Sequence, residues 1–155
     1  MKEEVRREVK IMNKNSIVSG IVGGLIGGLV FGMLMAMMGM LPMVAKLVGS
    51  SSAIVGFMVH LGISAVIGLG YGLLVGGHFL KLGSSLFAGF AYGMLWWFLG
   101  PLTLMPFFMG MGFGVNWNLQ AAWQMMPSLM GHVIYGLVLA VTYARIYSAC
   151  QTYAK

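Results

Sequence analysis

The sequence predicts an all-α fold: a polytopic membrane four-helix bundle made of two parallel two-helix repeats, with a short interfacial helix on the outer side. Three observations carry this. Of 155 residues, 59% are hydrophobic and 8% charged, with a mean hydropathy of +0.90, whereas ordinary soluble domains carry roughly a quarter charged residues. The apolar residues fall into four blocks, each close to the ~20 residues needed to cross a bilayer. The first pair of blocks also matches the second pair, residue for residue, at many small and polar positions.

Residues 1–15 form a basic tail holding Lys2, Arg6, Arg7, Lys10 and Lys14 together with all three acids, Glu3, Glu4 and Glu8. Five of the nine basic residues thus precede the first apolar block, a placement that fits a topology signal and contact with anionic headgroups rather than nucleic acid. Met12 is an alternative start that would shorten this tail. The transmembrane domain covers 16–148, with spans expected at 16–40, 53–77, 80–100 and 127–147, and 149–155 forms a second short tail. Gly100-Pro101 suits a helix end, and Pro127 suits a helix start, where its missing N–H is not needed.

With four spans, the tails and the turn near Gly77 share one side. That side holds eight basic residues, including Lys81, Arg145 and Lys155, and the other holds Lys46 alone. This asymmetry predicts an inner (plasma) membrane protein with both termini cytoplasmic. After the third span, Pro101 to Phe113 is too apolar for a solvated loop and should lie at the interface or dip into the bilayer. Residues 116–126 (NWNLQAAWQMM) read as a short surface helix, capped by Asn116 or Asn118, with Trp117 and Trp123 in the aromatic belt.

A shift of 61 places the first span on the third: Gly24, Gly28 and Gly32 fall on Ser85, Gly89 and Gly93. A shift of 72 places the second on the fourth: His60 falls on His132, Tyr71 on Tyr143, and Gly68, Gly72 and Gly76 on Ala140, Ala144 and Ser148. Repeat one is then 16–77 and repeat two 80–148, related by a pseudo-two-fold axis along the membrane normal. The four-residue spacing puts Gly24, Gly28, Gly32, Gly68, Gly72, Gly76, Gly89 and Gly93 on packing faces. In so small a bundle, at least one such face is expected to meet a second copy or a larger membrane complex.

No Asp, Glu or Lys sits in the predicted hydrocarbon region, Lys81 lying at the cytoplasmic turn, which argues against a proton-driven transporter relying on buried carboxylates. His60 and His132 lie roughly 6–8 Å to the outer side of the midplane, given a rise of 1.5 Å per residue. Tyr71 and Tyr143 follow on the same faces. Three readings stay open for this set: hydrogen bonds to a neighbouring helix (to Tyr92, Ser64, Tyr135 or a carbonyl), a bis-histidine site for haem b or a metal, and a polar lining for a small permeant. Sixteen methionines are present, and soft thioethers such as Met37, Met40, Met105 and Met109 near the outer side suit copper as well as irregular membrane packing. Cys150 is the single cysteine, so neither an intrachain disulfide nor a Cys-based metal site is available. No nucleophile–base–acid set or phosphate loop is evident, so the chain reads as non-enzymatic on its own: a subunit or accessory component of a homo-oligomer or larger complex in the lipid bilayer. A haem- or metal-binding subunit linked to electron transfer is the alternative, and a small channel or copper permease the third reading.

The pattern His60-x10-Tyr71, the turn bearing Lys81, Gly100-Pro-Leu-Thr-Leu-Met-Pro106 and Ser128-Leu-Met-Gly131-His132 resembles the YagU-type bacterial inner-membrane proteins over residues 55–148. The resemblance implies a polytopic inner-membrane protein in which His60, Gly131 and His132 are the matching positions.

Overall fold

The structure is a computed structural model that describes the backbone of residues 2–152 and the side chains of residues 14–152. Side chains of the basic tail before Lys14, the alternative start at Met12 and residues 153–155 lie outside the described residues. Helix α1 spans Lys2–Met37, α2 Leu41–Ala45, α3 Ala53–Leu74, α4 Leu82–Leu99, α5 Met105–Phe108, α6 Leu119–Gln124 and α7 Met126–Thr152, and no strand is present among the described residues. Four stretches are long and apolar enough to cross a membrane: Lys14–Met37, Ala53–Leu74, Leu82–Phe108 and Met126–Thr152. The protein is therefore an all-α, multi-pass membrane bundle. Its tail end carries both termini and the α3–α4 turn. Its loop end carries α2, α5 and α6.

The element boundaries differ from the sequence reading in four places, one of them the second span, which stops at Leu74 rather than at 77. The first span stops at Met37, where Gly39 at φ 67° turns the chain. That left-handed conformation costs a residue without a Cβ little. The third span does not end at Gly100-Pro101. It continues through a wide π-helical turn, Gly100–Leu104, into α5. Pro101 has no N–H to donate, and widening the helix re-routes the hydrogen bonds around it. The Met105 N–H reaches Gly100 O, and Thr103 Oγ1 donates to Phe98 O at 2.8 Å. Finally, α7 runs through the tail expected from residue 149 as far as Thr152.

Helix packing follows the glycines. A Cβ added to Gly24 would stand 2.4 Å from Ser64 O, and one on Gly68 would stand 2.3 Å from Gly20 O, so α1 and α3 approach backbone to backbone. A second α1 stripe faces α7, where a Cβ on Gly23 would meet Leu139 O at 2.9 Å and one on Gly27 would meet Tyr135 O at 2.9 Å. Helices α4 and α7 close similarly, with Gly89 against Gly136 and Gly93 against the His132 carbonyl. Apolar side chains gain little by leaving lipid for protein, so such close approach, with its van der Waals contact, is what holds membrane helices together. The backbone contacts run α3–α1–α7–α4. Helices α3 and α4 stand apart, and tyrosines reach α3 from α4 and α7: Tyr92 Oη of α4 donates to Ile67 O and Tyr135 Oη of α7 to Ser64 O, each at 2.8 Å.

The loop end is folded rather than free. Leu41, Val44 and Ala45 of α2 are buried against α3, where Gly56 leaves room for the Leu41 carbonyl. Asn118 caps α6, its side chain accepting from Ala121 N at 2.9 Å. Trp117 Nε1 donates to Thr103 Oγ1 and Trp97 Nε1 to Met125 O, each at 3.1 Å, which ties the segment before α7 back to the π turn and α4. Leu119 and Trp123 are left largely exposed, as an interfacial helix requires.

Candidate functional site

The separation of α3 from α4 leaves a cavity of about 450 Å³ at the loop end. This is the volume range of small-molecule sites, which are mostly apolar with a few placed polar groups. His60 and Ser64 reach it from α3, Ser128, His132 and Tyr135 from α7, and Lys46 is the one charged side chain on its wall.

The two histidines are held by backbone carbonyls. His60 Nε2 lies 3.0 Å from Gly28 O, and His132 Nδ1 lies 2.8 Å from Ser128 O. A carbonyl can only accept, so the ring proton sits on Nε2 of His60 and on Nδ1 of His132, and each ring keeps a lone pair on its other nitrogen. Local sequence makes this possible. Gly28 and Gly32 lack side chains, and a Cβ on Gly32 would stand 3.2 Å from His60 Cδ2. Of the hydrogen-bond partners the sequence left open, a carbonyl is the one used by both rings.

Phe31 of α1 completes the arrangement and was not singled out by the sequence. Its ring makes edge contacts with both imidazoles, at centroid distances of 5.2 Å to His60 and 4.9 Å to His132. Gly131 is its seat: a Cβ there would fall 1.9 Å from the Phe31 ring. The available signal was Gly131 itself, a glycine beside a histidine that belongs to none of the four-residue stripes.

A bis-histidine haem does not fit this geometry. His60 has committed Nε2 to Gly28. Its remaining nitrogen, Nδ1, adjoins its own Cβ, where a flat macrocycle would collide with α3. Phe31, 4% exposed, fills space against both rings. Tyr71 and Tyr143, grouped with the histidines in the sequence reading, do not line the cavity. They lie deeper, fully buried, with Tyr71 in edge contact with Tyr143 (5.5 Å) and with Tyr92 (5.1 Å). Tyr143 Oη shares a 2.7 Å hydrogen bond with Ser16 Oγ, whereas Tyr71 Oη has no partner. With Leu139, also fully buried, these rings plug the bundle beneath the cavity.

The methionines divide. Met40, Met105 and Met109 line the cavity. Met37 does not: it is 85% exposed on the outer face of the last turn of α1. Met35, Met43, Met111 and Met125 line the cavity as well, and no spacing or pattern prefers them over Met37. The glycines of the packing stripes lie between helices, and Gly76 lies under the Tyr143 ring. His78 is exposed at the α3–α4 turn.

No family model, curated protein or solved structure matches the chain.

Proposed function

We propose that this protein is a non-enzymatic membrane component whose working part is the loop-end cavity, in which it holds a guest. One observation carries the reading: the cavity collects two imidazoles, His60 buried and His132 half-buried, each pinned in one tautomer, inside a largely apolar wall. Side chains with several rotamers lose entropy when fixed, and preorganised polar groups in an apolar pocket are how binding sites gain specificity. The glycine stripes, by contrast, are used between helices of the same chain. Assembly with a second copy or a larger complex therefore draws its support from the exposed apolar surface, not from the stripes.

The tail end faces the cytoplasm in this reading, on the strength of eight basic residues against one. The cavity then opens toward the outer side of the plasma membrane. A hairpin duplication accounts for its existence. Under the shifts of 61 and 72, Gly28 packed on Ser64 corresponds to Gly89 packed on Gly136, and Gly32 beside His60 corresponds to Gly93 beside His132. The copies have diverged where α1 meets α7. Gly23 and Gly27 of α1 correspond to Ser84 and Ala88 of α4, and Gly131 to Val59. Glycines bring α1 against α7, while larger residues at the matching positions hold α4 off α3. The cavity is the resulting gap. Membership of the YagU-type group, on the residues quoted above, belongs with this proposal.

Sided cysteine labelling tests the reading. In a Cys150→Ser background, Met105→Cys should react with a membrane-impermeant maleimide added to the loop-end side of sealed vesicles, and Tyr71→Cys should not. Protection of Met105→Cys from both sides would remove the open cavity and the reading with it.

A further inference from the structure

The donor set of the cavity specifies what kind of guest it takes, and this inference rests on the reading just given. His60, His132 and a set of methionine thioethers line the interior. The thioethers come from separate parts of the chain: Met35 of α1, Met40 and Met43 around the start of α2, Met105 and Met109 at α5, and Met125 just before α7. Among the described residues, no carboxylate or thiolate lines the wall, and Cys150 lies in the tail-end turns of α7. Hard divalent cations such as calcium and magnesium need oxygen ligands, largely anionic. Structural zinc needs a closed set of Cys, His and carboxylate ligands. The cost of moving an ion from water to a low-dielectric interior grows with the square of its charge, and with no anion here to offset it, a divalent guest is strongly disfavoured. A singly charged, soft ion with neutral nitrogen and sulfur ligands meets none of these objections, and thioether and imidazole are the ligand types that suit Cu(I).

We propose that the loop-end cavity is a Cu(I) site in which His132 Nε2 supplies the nitrogen ligand and cavity methionines supply the thioether sulfurs. His132 is the better placed of the two histidines. Its Nδ1–H is anchored one turn back on its own helix, at Ser128 O, and this is how metal-binding imidazoles are ordinarily oriented, with the second nitrogen donating to a fixed oxygen. Its Nε2 faces the glycine at the start of the π turn, 3.6 Å from where a Cβ on Gly100 would stand. A Cβ at that position would make ordinary van der Waals contact with the nitrogen, and the π turn leads directly to Met105. Helix widening of this kind frequently marks functional sites. Lys46, the one charged wall residue, is exposed and can swing its ammonium into solvent as a monovalent guest enters.

The test uses the full chain in nanodiscs, with any affinity tag removed, titrated anaerobically with Cu(I) delivered from bicinchoninate. One Cu(I) per chain should transfer, and the copper X-ray absorption spectrum should show both nitrogen and sulfur neighbours. Replacing His132 by Ala, or Met35, Met40, Met105 and Met109 together by Leu, should each weaken binding by about tenfold or more, the loss produced at metal sites even by changing the residues that hydrogen-bond to the ligands. His78→Ala, at the far end, should leave binding unchanged. Met→Leu is close to volume-conserving, so the quadruple variant should keep the wild-type circular dichroism and thermal midpoint. It keeps the test decisive where His132→Ala fails to fold. No transfer from bicinchoninate, or undiminished binding in the Met→Leu variant, overturns the Cu(I) site. If Met105→Cys is nevertheless labelled from the loop-end side, the cavity reading stands and the Cu(I) assignment alone has failed.

Discussion

Replacing Gly68 by alanine adds one methyl group at the α1–α3 contact. Its carbon would fall 2.3 Å from Gly20 O, 2.7 Å from Gly24 Cα and 3.0 Å from Gly24 N, all of them backbone. Backbone cannot swing aside, so reaching ordinary contact near 3.4 Å requires the two helices to separate by about 1 Å. Overpacking of this kind costs about 1–3 kcal/mol. Gly62 on the same helix is the control, because a Cβ there meets nothing within 4 Å. In that open position alanine should gain up to about 1 kcal/mol from its higher helix propensity. The variants should therefore differ by about 1–4 kcal/mol, at least roughly fivefold in the unfolding equilibrium. Titration of detergent-solubilised protein with SDS, followed by circular dichroism, measures this directly. Equal stability of Gly68→Ala and Gly62→Ala would refute the claim that glycine-mediated backbone contact holds α1 to α3.

Other consequences follow from the same geometry. Gly131→Ala should unseat Phe31, shifting the NMR resonances of His60 and His132 while those of His78 and the helix content stay constant. Tyr92→Phe removes a hydrogen bond from α4 to α3, and Tyr135→Phe one from α7 to α3. Each should cost about 0.5–1.5 kcal/mol in the SDS titration, and a larger loss would mean that more than a bridge was broken. Tyr71→Phe removes a buried hydroxyl that has no partner, so it should be neutral or stabilising by up to about 1–3 kcal/mol. Tyr143→Phe, which loses the Ser16 bond, should destabilise. The sign difference between these last two is the readout.

Much of the architecture was legible because the bilayer leaves the chain few choices. Backbone groups in lipid must be satisfied within the segment, so long apolar blocks had to be helices, and glycines four residues apart had to be contact faces. The errors came from local hydrogen-bond chemistry. Pro101 carries the same stop signal whether the helix ends or widens, and the widening depends on Thr103 reaching back to Phe98. The site was half legible. His60 and His132 stood out as polar residues in apolar blocks, but their orientation depends on carbonyls, which every residue carries and no sequence pattern marks. Tyr71 and Tyr143 share a face with the histidines and still sit in a separate layer, because eleven residues along a helix is about 16 Å at 1.5 Å per residue. Met37 and Met40 look alike in sequence. Gly39 turns the chain between them, leaving Met37 on the outer surface and Met40 on the cavity wall.

The account turns on a cavity whose two imidazoles are fixed in opposite tautomers, and the ¹⁵N spectrum of histidine-labelled protein in nanodiscs reads those tautomers directly. It should show His60 protonated at Nε2 and His132 protonated at Nδ1, each as a single slowly exchanging form, with His78 as the averaging, solvent-exposed reference. Averaged tautomers at His60 and His132 like those of His78 would contradict the preorganised site.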